Sequence, residues 1–437
     1  MTRGEKDGLI FLLLGSLVFV ILGMLGTDSM GDYRSLYYGA RCLLEHRDPY
    51  NKSVLLELYQ EDAGNRAMPD PIVHGAERMI STYVNFPTAF LLTLPFSIFS
   101  WQTSHYLWMV LIDTSLLFAA GMVWRFEGNV SPVVAGSLSG LVLLSSISVP
   151  AFGNVSAIVV TLCVIASCCL LRDRYVAVGI FCLACGLILK PQDAGFVWAF
   201  FLLAGGLQRK RALQTLAVFV LLSLPGVLLT TAVAPHWPWE MLANQAESTL
   251  AGNFNDPRPN AASGTTGLMF VNLQSVFSVF TRDPRLYNLA TALACAPLFL
   301  AWIYATIHRP FTPQRAWLAL AAIAPLTLLP VYHRPHDAKL LLLVIPACVQ
   351  LWAQRSRLRW AAVALTSACI LLTAEFSATH LGHLPRDLHI PFDTFADQLL
   401  IVLLGQPAPI FLLAAASFFG WLYLRSARDL PQTAKAA

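Results

Sequence analysis

Stretches of apolar residues long enough to cross a lipid bilayer recur along most of the chain. A helix needs about 20 such residues to span the hydrocarbon core, where its backbone must satisfy its own hydrogen bonds. The sequence therefore predicts an all-α polytopic membrane protein, with one integral membrane domain over residues 1–437. The predicted apolar runs are 8–26, 88–124, 131–149, 154–171, 175–190, 193–206, 212–233, 287–307, 316–332, 338–353, 360–375 and 397–424.

Charge is scarce and scattered. Only 12% of the residues are charged and 56% are hydrophobic, whereas about 25% of residues are charged in soluble domains. The net charge of +4 is spread over loops, which excludes nucleic acid as a partner and leaves membrane lipids. All cysteines except Cys42 lie in apolar runs, so no disulfide framework or metal-ligand spacing is predicted.

Three hydrophilic loops interrupt the apolar runs, at 27–87, 234–286 and 376–396. They exceed the usual connection of about 4–6 residues, and we expect them to be partly helical. In 33–44, aromatic and apolar residues recur at helical spacing, which predicts a helix lying on the membrane surface.

Short basic clusters predict the orientation, because cytoplasmic loops are enriched in Lys and Arg. The clusters near residues 3–6, 172–174, 209–211, 309–315, 355–359 and 425–428 place both termini in the cytoplasm and the three long loops outside. Two full helices in 88–124 would invert part of this topology. A short, re-entrant first half, interrupted by Pro95, resolves the conflict.

Ionisable residues gather on the predicted outer side. Asp32 follows the first apolar run, Lys190 ends another, and His333, Arg334, His336, Asp337 and Lys339 lie at a helix junction. A carboxylate can take a proton from an acceptor hydroxyl, and cations can stabilise a leaving phosphate. This set of groups at a lipid boundary suits a reaction on a lipid phosphate.

Each of these groups also has a structural interpretation. Asp32 could cap a surface helix, Lys190 could be a snorkelling interfacial lysine, and the His333–Lys339 cluster could be a solvated loop held by salt bridges. His380, His383 and His389 show no further chemistry by spacing. Spacing alone leaves these alternatives open.

Six segments occur in the order found in one enzyme family. They are Asp32-Tyr33 through Tyr37-Tyr38-Gly39-Ala40 with Asp48-Pro49-Tyr50; Tyr83-Val84-Asn85-Phe86-Pro87 with Leu94-Pro95; Phe152-Gly153-Asn154-Val155; Gly186-Leu187-Ile188-Leu189-Lys190-Pro191-Gln192; Asn272-Leu273-Gln274-Ser275; and His336 before a leucine run and Pro346. Over residues 30 to 350 the chain thus resembles glycosyltransferase family 87. It departs from the pattern at Asn154, where glutamine is usual, and at Asp337, where an aromatic residue is common after the histidine. Both His333 and His336 therefore remain candidates.

The resemblance implies a GT-C-type fold in the bacterial plasma membrane, with about 11–13 transmembrane helices and juxtamembrane helices on the outer face. It implies transfer of a hexose, expected to be mannose, from a polyprenyl-phosphate donor to a lipid or glycan hydroxyl outside the cell, with inversion. Asp32 would be the general base. The expected substrate-binding residues are Lys190, Gln192, His333, Arg334, His336, Lys339, Asn154, Tyr37 and Asn272.

No cofactor is required by this chemistry, because the leaving group is already a phosphate. A divalent metal is compatible with it, but the sequence shows no ligand set. Two other classes stay open: a transporter or flippase with an outer gate, and a non-catalytic relative. The sequence does not name the acceptor, the sugar or the linkage.

Overall fold

The computed structural model describes residues 2–25, 30–63, 83–127, 130–253, 255–259 and 270–426. Within these ranges the regular structure is entirely helical. The α-helices are α1 (Arg3–Leu25), α2 (Gly31–Leu44), α3 (Lys52–Ala63), α4 (Phe90–Ser97), α5 (Trp101–Glu127), α6 (Pro132–Leu144), α7 (Ser148–Phe152), α8 (Ser156–Leu171), α9 (Val176–Leu189), α10 (Pro191–Leu203), α11 (Gly206–Val233), α12 (Trp237–Ser248), α13 (Leu273–Phe280), α14 (Pro284–His308), α15 (Pro313–Thr327), α16 (Ile345–Ala353), α17 (Arg359–Leu372), α18 (Glu375–Asp387), α19 (Phe395–Gly405) and α20 (Pro407–Arg425). Pro87–Ala89 and Asp337–Val344 form 3₁₀ helices.

Several helices have the length and apolar composition of membrane spans, which makes this a multi-pass membrane protein. Six such spans are found among the described residues: Arg3–Met24, Trp101–Phe126, Pro132–Phe152, Gly206–Val233, Pro284–His308 and Pro407–Arg425. A seventh results if α17 and α18, bent by 73°, are one broken span. Other predicted runs fold as shorter apolar helices, including α8 and α9.

Two of the predicted runs are each divided into two helices. The 88–124 run forms the short helix α4 and then the long α5, so the expected short first half is confirmed. Its interruption at Pro95 is not, because α4 continues through Pro95 to Ser97. The 397–424 run is broken at Gln406, whose φ of −135° is not helical. Pro407 explains this break, because a proline disfavours the helical conformation in the residue before it.

Helix α2 confirms the predicted helix over 33–44 but not its place on the membrane surface. Nearly all of its side chains are buried, including those of Tyr33, Tyr37 and Arg34. The Tyr33 ring stacks on Trp108 with centroids 4.4 Å apart, and the Tyr37 hydroxyl donates to the carbonyl of Phe99 at 2.8 Å. The aromatic side of α2 therefore packs against α5 and the segment before it, and its place at the membrane surface stays a prediction.

Glycines bring α1 and α6 into backbone contact. A Cβ atom added at Gly136 would collide with the carbonyl oxygen of Gly8, and one at Gly140 would lie 2.5 Å from the carbonyl oxygen of Phe11. The four-residue spacing of Gly136 and Gly140 is typical of closely packed membrane helices.

We expect Gly136→Ala to lower the stability of the protein by about 1–3 kcal/mol, because the added methyl forces the two backbones apart. Thermal unfolding in detergent measures the effect. Gly121→Ala in α5 is the matched control, since a Cβ atom there meets nothing within 4 Å and alanine favours a helix by up to about 1 kcal/mol. Equal unfolding midpoints for Gly136→Ala and the wild type would contradict the close contact.

Candidate active site

One cavity of about 350 Å³ collects polar side chains from distant parts of the chain. It opens among the beginning of α2, the α7–α8 and α9–α10 junctions, α12 and the segment before the second 3₁₀ helix. Its lining consists of Gly31, Asp32, Ser35, Leu36, Val84, Asn85, Phe86, Asn154, Val155, Leu189, Lys190, Pro191, Gln192, Gln245, Ser248, Thr249, Asn255, Tyr332, Arg334 and His336. Six of the predicted site residues therefore meet here: Asp32, Asn154, Lys190, Gln192, Arg334 and His336.

The Asp32 carboxylate faces this cavity and does not cap the helix. The N-cap of α2 is Met30, and no side chain caps it. Asp32 is partly exposed, and its Oδ2 accepts a hydrogen bond of 2.6 Å from Nδ2 of Asn154. Among the described residues, Asn154 is the hydrogen-bond partner found for this carboxylate. The geometry thus leaves Asp32 accessible to a bound molecule.

Asn154 links Asp32 to His336. Its Oδ1 accepts from the backbone N–H and the hydroxyl of Ser156, at 2.9 and 2.6 Å, which orients the amide. Its Nδ2 then donates to Asp32 and lies 2.9 Å from Nε2 of His336. Because an amide nitrogen only donates, Nε2 of His336 must accept, which assigns its proton to Nδ1.

A glycine brings this linkage into place. Gly153 ends α7 with a φ of +66°, a conformation that favours glycine. A Cβ atom there would also lie 2.6 Å from Cβ of Tyr33 in α2. The turn therefore lets the Asn154 segment pack closely against the helix that carries Asp32.

His336 is held neutral. Burial lowers the pKa of its imidazole by more than the carboxylates of Asp337 and Asp32 raise it, while Lys190 lowers it further. The net pKa lies below the ordinary value of 6.5. A neutral ring matches the accepting Nε2 deduced from Asn154.

This shift makes stability depend on pH. Between its lowered folded pKa and an unfolded pKa of about 6.5, His336 binds more protons in the unfolded state. Its contribution to stability is therefore complete above about pH 6.5 and decreases as the pH falls toward the folded pKa. We expect the unfolding midpoint of His336→Gln to fall less than that of the wild type between pH 7 and pH 5. His389→Gln, which changes an exposed histidine, should keep the wild-type pH dependence; an unchanged pH dependence in His336→Gln would refute this account.

Lys190 is the centre of a buried ionic network below the cavity. The backbone of Lys190 is not helical (φ −152°) at the break between α9 and α10, because Pro191 disfavours the helical conformation in the residue before it. Its Nζ donates to Oδ1 of Asp337, donates to the Ser156 hydroxyl at 2.8 Å, and lies 3.5 Å from Oδ2 of Asp193. The snorkelling interpretation is wrong, because the side chain is 11% exposed and paired with carboxylates.

Asp337 remains ionised within this network. Burial raises the pKa of its carboxyl, but the Lys190 ammonium, with smaller contributions from His336 and His333 at the low pH where these rings are protonated, lowers it more, so that the pKa lies well below its usual range. Its Oδ1 also lies 2.5 Å from the Ser156 hydroxyl, whose single proton it shares with Oδ1 of Asn154, and its Oδ2 accepts from the backbone N–H of Arg334 at 2.9 Å. Asp337 therefore ties the His336 segment to the α7–α8 and α9–α10 junctions.

Arg334 supplies a second cation to the cavity. Its Nε donates to the hydroxyl of Tyr332 at 2.6 Å, and its guanidinium lies 5.4 Å from the ring centroid of Phe270. Since both Arg334 and Tyr332 line the cavity, a planar cation suited to phosphate or carboxylate recognition is held at its wall.

The other predicted binding residues lie outside the cavity. His333 is fully buried behind it, with Nε2 3.0 Å from Oδ1 of Asp193 and Nδ1 3.1 Å from the carbonyl of Val331. Lys339 donates to the carbonyl of Ser145 at 2.5 Å. Of the two candidate histidines, His336 is therefore the one at the cavity.

Two further predicted residues have structural roles. Asn272 is the N-cap of α13, with Oδ1 accepting from the backbone N–H of Ser275 at 3.0 Å, and the Asn-x-x-Ser spacing could have indicated this. Tyr37 bonds Phe99, as described above, and receives a hydrogen bond of 3.3 Å from Arg41.

Several cavity residues were not predicted as site residues. Asn85, Phe86, Gln245, Asn255 and Tyr332 come from loops and from α12. Helix α12 is held against the segments around Tyr50 and Tyr83 by Asn244, whose Nδ2 donates to the carbonyls of both tyrosines at 3.1 Å each. These residues reach the cavity because segments more than 160 positions apart in the sequence are in contact.

Asp193, His333 and Asp337 form a set that could hold a metal, which the sequence did not reveal. Their ligand atoms lie within 4.8 Å of one another, and all three residues are buried. The Lys190 ammonium already bonds Asp337 and lies 3.5 Å from Asp193, which places a positive charge beside both carboxylates. The described residues therefore fit a lysine-centred network at least as well as a metal centre.

Comparisons with family models, with curated proteins and with solved structures found no match to this chain.

Proposed function

We propose that this protein is a membrane glycosyltransferase that transfers a hexose from a polyprenyl-phosphate donor to a hydroxyl of a lipid or glycan acceptor. One observation carries the proposal: Asp32, Arg334, Lys190 and His336, far apart in sequence, line the same cavity. A carboxylate opposite cations is the arrangement that a single displacement at a phosphate-linked carbon needs. The resemblance to glycosyltransferase family 87 supplies mannose as the expected sugar and a GT-C-type fold.

The proposed reaction is one inverting step. The acceptor oxygen attacks the anomeric carbon as the bond from that carbon to the phosphate oxygen breaks. The acceptor proton passes to Asp32, and the electron pair of the broken bond leaves with polyprenyl phosphate. Because the step forms no covalent enzyme intermediate, one general base is sufficient.

The cations divide the phosphate-binding role. Arg334 lies at the cavity wall and would contact the phosphate directly. Lys190 is paired with Asp337 within its network and would stabilise the phosphate charge electrostatically from the floor of the cavity. Asn154 and His336 would orient the base and the sugar hydroxyls, and the exposed Gln192 would bind at the rim.

The cavity position favours an enzyme at a membrane boundary over a transporter. The lining includes residues of the long hydrophilic loops, Asp32 and Asn85 from 27–87 and Gln245 from 234–286, whereas transporter sites lie near the bilayer midplane. By the basic clusters, this boundary is the outer face of a bacterial plasma membrane, with both termini in the cytoplasm.

The direct test uses purified protein in detergent with polyprenyl-phosphate mannose, candidate acceptors and EDTA. We expect release of polyprenyl phosphate that depends on the acceptor and persists with EDTA, because Lys190 provides the cation that a metal would otherwise supply. Activity that is lost with EDTA and restored by a divalent cation would instead make Asp193, His333 and Asp337 a metal centre. Donor-independent substrate flux in liposomes, without release of polyprenyl phosphate, would support a transporter; neither activity would support a non-catalytic relative.

A further inference from the structure

A second cavity lies at the opposite end of the helices that carry the candidate active site. Gln192 in the first turn of α10 lines the first cavity, whereas Phe200 and Ala204 at the end of α10 line the second. Because a helix rises about 1.5 Å per residue, Gln192 and Ala204 lie about 18 Å apart along the helix axis. Likewise, Arg315 begins α15 beside the second cavity and Arg334 follows its other end beside the first.

The second cavity contains a buried arginine with an unused donor. Arg315 is 3% exposed. Its Nη1 donates to the carbonyl of Pro310 at 2.6 Å and its Nε to the hydroxyl of Ser426 at 3.2 Å, while Nη2 has no hydrogen-bond partner within the described residues. Because a guanidinium stays charged in proteins, a buried one requires a compensating partner.

No carboxylate balances this charge in the part of the chain that the structure describes. The guanidinium lies 5.3 Å from the ring centroid of Tyr423, and the charged neighbour in the cavity lining is another arginine, Arg309. The same cavity lies beside the N-terminus of α15, capped by Thr312, where the helix dipole favours negative charge.

We propose that this cavity binds an oxygen of a phosphate-type anion, supplied either by an anionic lipid headgroup or by a free phosphate. The volume of about 10 Å³ accommodates roughly one water-sized atom, which suits one oxygen entering while the remainder of the anion stays outside. Arg315 Nη2 would donate to this oxygen, and Arg309 would contribute charge at the entrance. The site is separate from the proposed catalytic cavity and does not depend on the proposed function.

Binding to the full-length protein in an uncharged detergent tests this proposal. Native mass spectrometry and thermal unfolding would be followed during titration with phosphatidylglycerol, with zwitterionic phosphatidylcholine and with inorganic phosphate. We expect phosphatidylglycerol to bind and stabilise the wild type more than phosphatidylcholine does. Arg315→Gln should bind it about tenfold more weakly, the effect of losing a charge-assisted hydrogen bond.

Two further variants separate binding from folding. Arg309→Gln changes a partly exposed residue of the same cavity and should also weaken binding, so it decides the question if Arg315→Gln does not fold. Arg285→Gln, an exposed arginine at the other end of α14, should bind like the wild type. Stabilisation by inorganic phosphate that both cavity variants lose would support the site and identify a free anion as its ligand. Wild-type affinity for these ligands in both cavity variants, or equal binding of the two lipids without stabilisation by inorganic phosphate, would overturn the proposal.

Discussion

Asp32→Asn is expected to reduce sugar transfer by about 10²–10⁴-fold, the contribution of a positioned general base. The substitution keeps the size of the side chain, and its amide oxygen can accept the same hydrogen bond that Asn154 donates to the carboxylate. We therefore expect normal folding and donor binding with little turnover. Release of polyprenyl phosphate, together with the unfolding midpoint, measures both quantities.

Asp48→Asn is the matched control for this loss. Asp48 lies in the same hydrophilic segment, 27–87, but outside the cavity lining, and its Oδ1 accepts a hydrogen bond from the backbone N–H of Tyr50 at 2.8 Å. An asparagine can preserve that turn, so transfer should remain near the wild-type rate. Wild-type turnover in Asp32→Asn would remove Asp32 from the role of base.

Lys190→Met is expected to destabilise the protein by about 3–5 kcal/mol, because it leaves the buried carboxylates of Asp337 and Asp193 without their cation. Because methionine resembles lysine in length, the loss of stability should come mainly from the lost charge and not from lost volume. Transfer should fall as well, since Asp337 connects this network to the His336 segment. Unfolding in detergent and turnover of the folded fraction measure the two effects.

A double substitution distinguishes charge balance from general disruption. Lys190→Met combined with Asp337→Asn should recover part of the lost stability, because the second change removes one of the unpaired carboxylates. Lys210→Met, at an exposed position, should change stability little. If Lys190→Met were as stable as the wild type, Lys190 would not be balancing these carboxylates.

Local sequence signals were sufficient to predict features that do not depend on contacts with distant parts of the chain. The helical spacing in 33–44 identified α2, and Pro407 marks the place where a long apolar run changes conformation. These features follow from the backbone preferences of a few adjacent residues. The burial of α2 was not predictable in this way, because it depends on rings such as Trp108 that lie far along the chain.

Charged residues beside one another in the sequence proved to have different surroundings. His333 and His336 are three positions apart, yet one is enclosed with Asp193 and the other reaches the cavity. Arg334 and Lys339 diverge in the same way, with Lys339 directed to Ser145. No local pattern separates these residues, since the direction of each side chain depends on the packing around this irregular segment.

The sequence by itself determined that this chain is a helical membrane protein, because lipid admits long apolar segments only where their backbone hydrogen bonds are satisfied internally. It also supplied Asp32, Asn154, Lys190, Gln192, Arg334 and His336 as candidates for one site. Only the tertiary structure decided that these residues share a cavity and that Lys190 is paired with Asp337. The physical reason is that buried charges need partners, and those partners come from segments whose proximity is set by how the helices pack.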